Sequence, residues 1–133
     1  MPDEPLRGFP DVVQLLLDDL VKFVGTDHTG YVTPEDLKSM LPFIRVRRVP
    51  GSPRDRHYDY PVVDLDFFSD GYVSALQLAE RVDAYLRQQG APPLPLVDRI
   101  EGSGPAELPY DDSGDIRRWG ATYTFVTRRR CLL

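Results

Sequence analysis

Cysteine, histidine, lysine and long apolar runs are all scarce in this chain, and each scarcity removes a class of function. A single cysteine, Cys131, among 133 residues excludes an intrachain disulfide framework and any cysteine-based metal site. The two histidines, His28 and His57, lie in polar stretches with no neighbouring ligands, so both are read as surface residues. The longest apolar stretch, around Leu15, Leu16 and Leu17, is cut by Asp18 and Asp19, far short of a bilayer span. The opening MPDEPLRGFP is acidic and broken by proline, unlike a secretory signal. The expectation is a soluble protein made in a reducing cytoplasm, with no membrane partner. Lysine is nearly missing as well: fourteen of the sixteen basic residues are arginine, leaving Lys22 and Lys38. A GC-rich coding sequence accounts for that bias, and arginine also suits bidentate contacts with carboxylates at interfaces.

What is present fits one domain. Hydrophobic residues make up 41% of the chain, enough for a real core and too many for disorder throughout. The formal net charge of −5 gives no global attraction to nucleic acid or to an anionic membrane. The chain is read as a single domain over 1–133, with 1–9 and 129–133 as flexible termini.

Apolar residues at Val12, Leu16, Leu20 and Phe23 recur at helical spacing, predicting a helix from Asp11 to Val24 that Asp11 caps and Gly25 stops. Thr33-Pro34-Glu35-Asp36 reads as a second helix start, running to Met40 because Pro42 disfavours helical geometry at Leu41. Tyr31 and Val32 are read as a short strand before it. A longer amphipathic helix is predicted from Tyr72 to Gln88, capped by Ser69 or Asp70 and ended by Gly90. Ala75 and Ala79 are small enough to let it lie close on a sheet. A proline-rich connector follows to Pro95, then a short strand from Val97 to Glu101. An irregular surface loop over Gly102 to Gly114 comes next, and a long strand from Arg117 to Arg128 closes the fold. This order predicts an α+β fold: a mostly antiparallel sheet with the two main helices on one face.

Two segments define a central hairpin. Phe43 to Val49 alternates as a strand, and so does Pro61 to Phe68; the loop between them holds Pro50, Gly51, Pro53, Arg54, Asp55, Arg56 and His57. If Ile44, Val46, Val63, Leu65 and Phe67 face the core, then Arg45, Arg47, Asp64 and Asp66 share the opposite face. Opposite charges across strands contribute roughly 0.2–1 kcal/mol per pair, so this face serves either as a solvated salt ladder or as a contact surface for neighbouring subunits.

Aligning Gly30 with the glycine of a calcium loop puts Gly25 at the first ligand position and Asp36 at the twelfth, leaving too few carboxylates. There is no phosphate-binding glycine loop, no dinucleotide fingerprint and no nucleophile elbow around any serine. Asp64 and Asp66 point the same way from one strand, as in some metal-dependent nucleases, but Arg45 and Arg47 beside them compete with a metal. The expectation is no catalytic residue, no metal and no cofactor. The strongest basic cluster, Arg45 to Arg56 with Tyr58 and Tyr60 nearby, suggests single-stranded nucleic acid as an alternative partner, diluted by Asp55, Asp59, Asp64 and Asp66.

Leu41-Pro42-Phe43-Ile44-Arg45-Val46-Arg47-Arg48, a charged loop, then Tyr60-Pro61-Val62-Val63-Asp64-Leu65-Asp66-Phe67-Phe68 resembles the tail terminator proteins of long-tailed bacteriophages infecting actinobacteria. In that family an LPFIRVRR strand leads through a variable loop to a PxVDVDxF strand, and a helix with spaced alanines and leucines follows. Asp98-Arg99-Ile100-Glu101, Gly104-Pro105, Pro109-Tyr110 and Arg117-Arg118 ahead of Ala121-Thr122-Tyr123 are similar to later pieces of it. The likeness covers Leu41 to Arg128; the first forty residues match less clearly. It implies a hexameric ring that caps the head-proximal end of the tail tube, stops tube polymerisation and meets the head-completion or stopper protein. DNA would pass only through the ring lumen, and the protein would belong to the virion at the head–tail junction after assembly in the host cytoplasm. Other neck or head–tail connector subunits are close in function. A ring needs heterologous contacts that close, and complementary arginine and aspartate residues help set their register. Arg45, Arg47, Arg54, Arg56, Asp64, Asp66, Arg117 and Arg118 are therefore the expected interface residues, with the loop from Pro50 to Tyr58 reaching a neighbour or the tube. On this reading, charge reversal at Asp64 and Asp66 impairs assembly while the monomer stays folded.

Overall fold

The computed structural model describes residues 7–51, 53–88, 94–110 and 116–131. The fold is α+β, with a mostly antiparallel sheet and two α-helices, α1 (Val12–Val24) and α2 (Tyr72–Leu86). Along the chain the strands are β1 (Arg7–Gly8), β2 (Thr29–Gly30), β3 (Phe43–Val49), β4 (Tyr58–Asp59), β5 (Val62–Ser69), β6 (Val97–Gly102), β7 (Ala106–Leu108), β8 (Arg117–Arg128) and β9 (Arg130–Cys131).

The sheet is organised around β8. One edge of β8 pairs with β5 and, beyond it in the same register, with β4. Its other edge pairs with β6 and β7 in turn. Next to β5 stands β3, and β2 runs parallel to β3 at the outer edge. Residues of one parity on β3, β5 and β8 turn inward: Ile44, Val46, Val63, Leu65, Phe67, Trp119, Ala121, Tyr123 and Phe125 pack with α1 and α2 into one core. Both helices cover this face. From α1 come Val12, Leu16 and Leu20, each almost fully buried and worth about 1.5–3 kcal/mol of transfer free energy. From α2 come Ala75, Leu78, Ala79, Val82 and Leu86; the alanines, with no exposed surface, let the helix sit close on the strands.

Local chemistry sets the helix ends. Asp11 accepts a hydrogen bond from the Gln14 backbone N–H at 3.2 Å, and Gly25 leaves α1 with φ of 95°. Gly71 precedes α2 without a side-chain cap; Ser69, Asp70 and Ser74 bond one another there instead. The helices are clipped together where the Lys22 ammonium, 3.8 Å from the centroid of the Tyr85 ring, donates to the Tyr85 hydroxyl at 2.6 Å. That hydroxyl in turn donates to Asp19. The Tyr85 bond raises the Lys22 pKa, and burial raises that of Tyr85.

Five local expectations change. The region after Thr33 forms only a 3₁₀ turn, Leu37–Met40, because the Thr33 hydroxyl accepts from Arg45 Nη1 at 2.8 Å rather than capping a helix. The short strand falls on Thr29–Gly30, while Tyr31 and Val32 stand exposed at 65% and 70%. The stretch read as an irregular loop after Gly102 contains β7, and β6 runs one residue further than expected, to Gly102. The chain ends are not free over their described residues: Arg7 pairs with Cys131 and Gly8 with Arg130. The expected helix stop at Gly90 and Pro92 and Pro93 of the connector lie outside the described residues.

Gly102 sits where β6 crosses close to β8. A Cβ there would stand 2.7 Å from the Thr122 carbonyl oxygen and 2.6 Å from the Tyr123 ring. Gly102→Ala is therefore expected to cost about 1–3 kcal/mol, read as a lower urea midpoint with an unchanged slope.

Candidate functional site

The face of the sheet turned away from the helices carries the charge. Arg45 stands opposite Asp66 and Arg47 opposite Asp64, and Arg118 lies on β8 in the same layer. Asp66 is almost fully buried. Its Oδ2 accepts from Arg45 Nη2 at 2.6 Å and Nε at 3.1 Å, while its Oδ1 accepts from Arg118 Nε at 3.0 Å. Two guanidinium groups thus saturate one carboxylate. Phe43, Phe68, Ile116 and Leu37 form a second small core beside this triad, and the Arg45 guanidinium lies 5.7 Å from the centroid of the Phe68 ring.

The outer pair is looser. Arg47 Nη2 reaches Asp64 Oδ2 at 3.5 Å with half of the Arg47 side chain exposed, and Thr122 donates to Asp64 Oδ1 at 2.6 Å. An open cavity of about 210 Å³ lies above this row, walled by Asp64, Arg118, Thr122 and the β6–β7 connection at Ser103 and Gly104.

The hairpin tip contains a site that alternation alone did not point to. Asp59 is 1% exposed and accepts from Arg48 Nη2 at 3.1 Å and Arg54 Nη2 at 3.1 Å, with the Tyr60 backbone N–H at 3.0 Å on its other oxygen. Arg54 also lies 4.9 Å from the centroid of the Phe9 ring. The tip is folded back on its own chain. Asp55 accepts from the backbone N–H groups of Tyr58 and His57, both at 2.7 Å, and from the Tyr60 hydroxyl at 3.0 Å. These bonds, that of Tyr58 first, hold the Asp55 carboxyl below its usual range, and the Asp55 bond raises the Tyr60 hydroxyl.

The eight expected interface residues therefore fall into three groups. Arg45, Asp66 and Arg118 are consumed by one another. Arg47, Asp64, Arg54 and Arg117 each hold one ion pair and keep exposed surface, Arg117 through Glu107 at 3.5 Å. Arg56 alone among them makes no side-chain hydrogen bond or ion pair among the described residues; its backbone carbonyl accepts from Arg129 Nη1 at 3.2 Å. The expectation for Asp66 needs correcting. A reversed charge there would face Arg45 and Arg118 in a buried site, so Asp66 cannot be reversed with the monomer intact. Only Asp64 retains the surface that such a test requires. His28 also differs from a free surface histidine: its Nδ1 lies 2.6 Å from the Met40 carbonyl oxygen and 3.0 Å from that of Pro42. Among the described residues no group of three or more His, Cys, Asp or Glu could hold a metal ion, and no helix is long and apolar enough to cross a membrane.

One buried titratable group gives the fold a measurable pH limit. The Tyr123 hydroxyl donates to Asp83 Oδ1 at 2.5 Å, and Asp83 also receives Arg87 Nε at 2.9 Å. Burial first, then the Asp83 bond, raises the Tyr123 pKa far above the ordinary 10.0. The unfolded chain therefore ionises first: the Tyr123 contribution is complete below pH 10.0 and is lost as pH rises from there toward the folded value. Urea midpoints should fall between about pH 8 and about pH 11, and Tyr123→Phe should make that fall shallower. Equal slopes would contradict the assignment.

No protein-family model matches the chain, and no curated protein matches it.

Proposed function

We propose that this protein is a non-enzymatic structural subunit that works by self-association, as a tail terminator of a long-tailed bacteriophage. In this reading identical copies, six by the family likeness, close into a ring on the head-proximal end of the tail tube. The ring stops tube growth, presents a surface to the head-completion protein, and lets DNA pass only through its lumen. The protein then belongs to the virion at the head–tail junction.

The observation that carries the reading is the central hairpin. The two segments that resemble the family are adjacent strands, and their alternating charges stand in direct register, Arg45 with Asp66 and Arg47 with Asp64. The likeness thus concerns one three-dimensional unit rather than scattered residues. Support also comes from the surface: Tyr31, Val32, Tyr72 and Val73 are 49–70% exposed, an expense of apolar surface that a partner would recover. A nucleic-acid module built on Arg45 to Arg56 is less well supported, because Arg45, Arg47, Arg48 and Arg54 are already engaged by Asp66, Asp64 and Asp59.

Immunogold electron microscopy of virions with an antibody to this chain tests the location. Label confined to the head–tail junction is the expected result. Label along the tube or at other capsid vertices, or virions free of the chain, would overturn the assignment.

A further inference from the structure

Most arginines of the sheet meet a carboxylate, yet at one end of the molecule several meet none among the described residues. Arg7, Arg56, His57, Tyr58, Arg128 and Arg129 line an open groove of about 520 Å³ past the end of β8. Of these four arginines only Arg128 meets a carboxylate among the described residues, Asp98 at 2.8 Å. Arg129 gives its guanidinium to backbone carbonyls, those of Arg7 at 2.7 Å and Arg56 at 3.2 Å. These bonds fix its position and leave its charge in place. In a chain of net charge −5, the groove is a concentrated positive site waiting for an anion.

The same chain carries a complementary corner. On either side of β2, Asp27 before it and Glu35 and Asp36 after it are exposed, and none of their carboxylates makes a hydrogen bond or ion pair among the described residues. Between them Tyr31 and Val32 project at 65% and 70% exposure. Lys38 is the one cation nearby in sequence.

Strand register places the two patches apart. Phe43 at the start of β3 stands beside Phe68, which stands beside Arg118 near the start of β8. The acidic corner, attached to β2 beside Ile44 and Arg45, is thus at the end where β8 begins and at the far edge of the sheet. The arginine groove lies where β8 stops. About eight or nine residues of strand separate them along the sheet, roughly 30 Å, and three strand spacings separate them across it, roughly 14 Å.

We infer that the arginine groove of one copy receives the acidic, apolar corner at residues 27–36 of the next, making a head-to-tail interface between identical chains. The inference rests on the self-association reading and names the surfaces that carry it. Two unlike patches at diagonally opposite ends are what a heterologous contact needs, and repeated rotation of that contact closes a ring. A two-fold dimer through the groove would instead set arginine against arginine. Tyr31 and Val32 supply apolar area at the centre, Tyr58 offers a ring within the groove, and the charges set register and steer approach. Association should therefore weaken as salt is raised.

A charge-swap series on the full chain tests this. Arg7→Glu with Arg56→Glu removes two cations whose side chains bond nothing else among the described residues. Glu35→Arg with Asp36→Arg reverses the corner. Both variants should keep the wild-type melting profile, since the affected side chains are solvent-facing. Assembly is followed by sedimentation in low salt and by electron microscopy on isolated tail tubes. Each double variant is expected to lose rings, and the chain carrying all four changes is expected to regain them, because complementarity is restored with the signs exchanged. Wild-type rings that persist in both double variants would overturn the groove assignment while leaving self-association standing. Absence of rings from the wild type under all conditions would overturn both. Failure of the fourfold variant to recover, with a labelled oligonucleotide bound by the wild type and released by Arg7→Glu with Arg56→Glu, would assign the groove to nucleic acid and overturn the inference.

Discussion

Asp66→Ala should come close to unfolding the protein, whereas Asp64→Ala, two residues away on the same face, should barely register. Asp66 has a side chain 3% exposed and is bracketed by Arg45 and Arg118, themselves 18% and 25% exposed. Removing the carboxylate leaves two guanidinium groups facing each other with little water to screen them. Breaking a buried pair in this way costs about 3–5 kcal/mol, most of it the penalty of the charge left behind. Thermal unfolding should fall by roughly 10–20 °C in a chain of this size. Asp64 holds Arg47 at 3.5 Å with half of the arginine in water, so its loss should cost at most about 1 kcal/mol. Thermal melts of the two variants settle the comparison, and equal shifts would contradict the account of the face. A companion change separates charge from packing. Replacing Arg45, Asp66 and Arg118 together by apolar residues of similar volume should recover much of the stability lost in Asp66→Ala.

Asp59→Ala is the second large effect expected. Asp59 ties the hairpin tip to the end of β8: it stands opposite Thr127, whose hydroxyl donates to its carbonyl at 3.5 Å. Its carboxylate meanwhile gathers Arg48, Arg54 and the Tyr60 N–H. Both arginines are about half exposed, so water re-solvates them after the substitution and the loss is smaller than at Asp66, about 2–3 kcal/mol. The effect should also be local. Amide hydrogen exchange should speed up over 54–60 and at the end of β8, while the centre of β5 keeps its protection. Uniform acceleration across the sheet would show that Asp59 holds more than the tip. Because Arg56 lies in this tip, a loosened loop would also weaken the arginine groove.

Where a segment is long and its pattern unbroken, sequence and structure agree closely. β8 begins at Arg117 and ends at Arg128 as alternation predicts, since twelve residues without proline leave no competing periodicity. α1 is similarly clear, with apolar residues on every turn and a capping aspartate. That Arg45, Arg47, Asp64 and Asp66 share one face was legible from alternation along the two strands; which arginine meets which aspartate is set by the hairpin register, Arg45 with Asp66 and Arg47 with Asp64. What stayed hidden was short or remote. β7 has three residues, too few for any period, and exists only because β8 offers a free edge. Thr33 has the chemistry of a helix cap, and nothing local reveals that Arg45, twelve positions on, takes its hydroxyl instead. The burial that separates Asp66 from Asp64 depends on Arg118, fifty-two positions away. The arginine groove is assembled from the two chain ends and the hairpin tip, with Arg129 reaching Arg7 across 122 positions, so no window along the chain displays it.

Fold and proposed role then form one argument. A core closed by α1 and α2 on one side of the sheet, with a smaller one beside Asp66 on the other, leaves the surface around Arg47 and Asp64 and the sheet's ends for contact. Arginine and aspartate at close quarters suit that task, since their pairing discriminates among orientations more than it adds affinity. The most direct measurement is an averaged electron-microscopic image of isolated tail tubes saturated with this protein. The account predicts a closed ring of identical copies at one end of each tube, every copy touching its neighbours through two different surfaces. Copies bound singly with no contact between them, or spread along the tube wall, would contradict it.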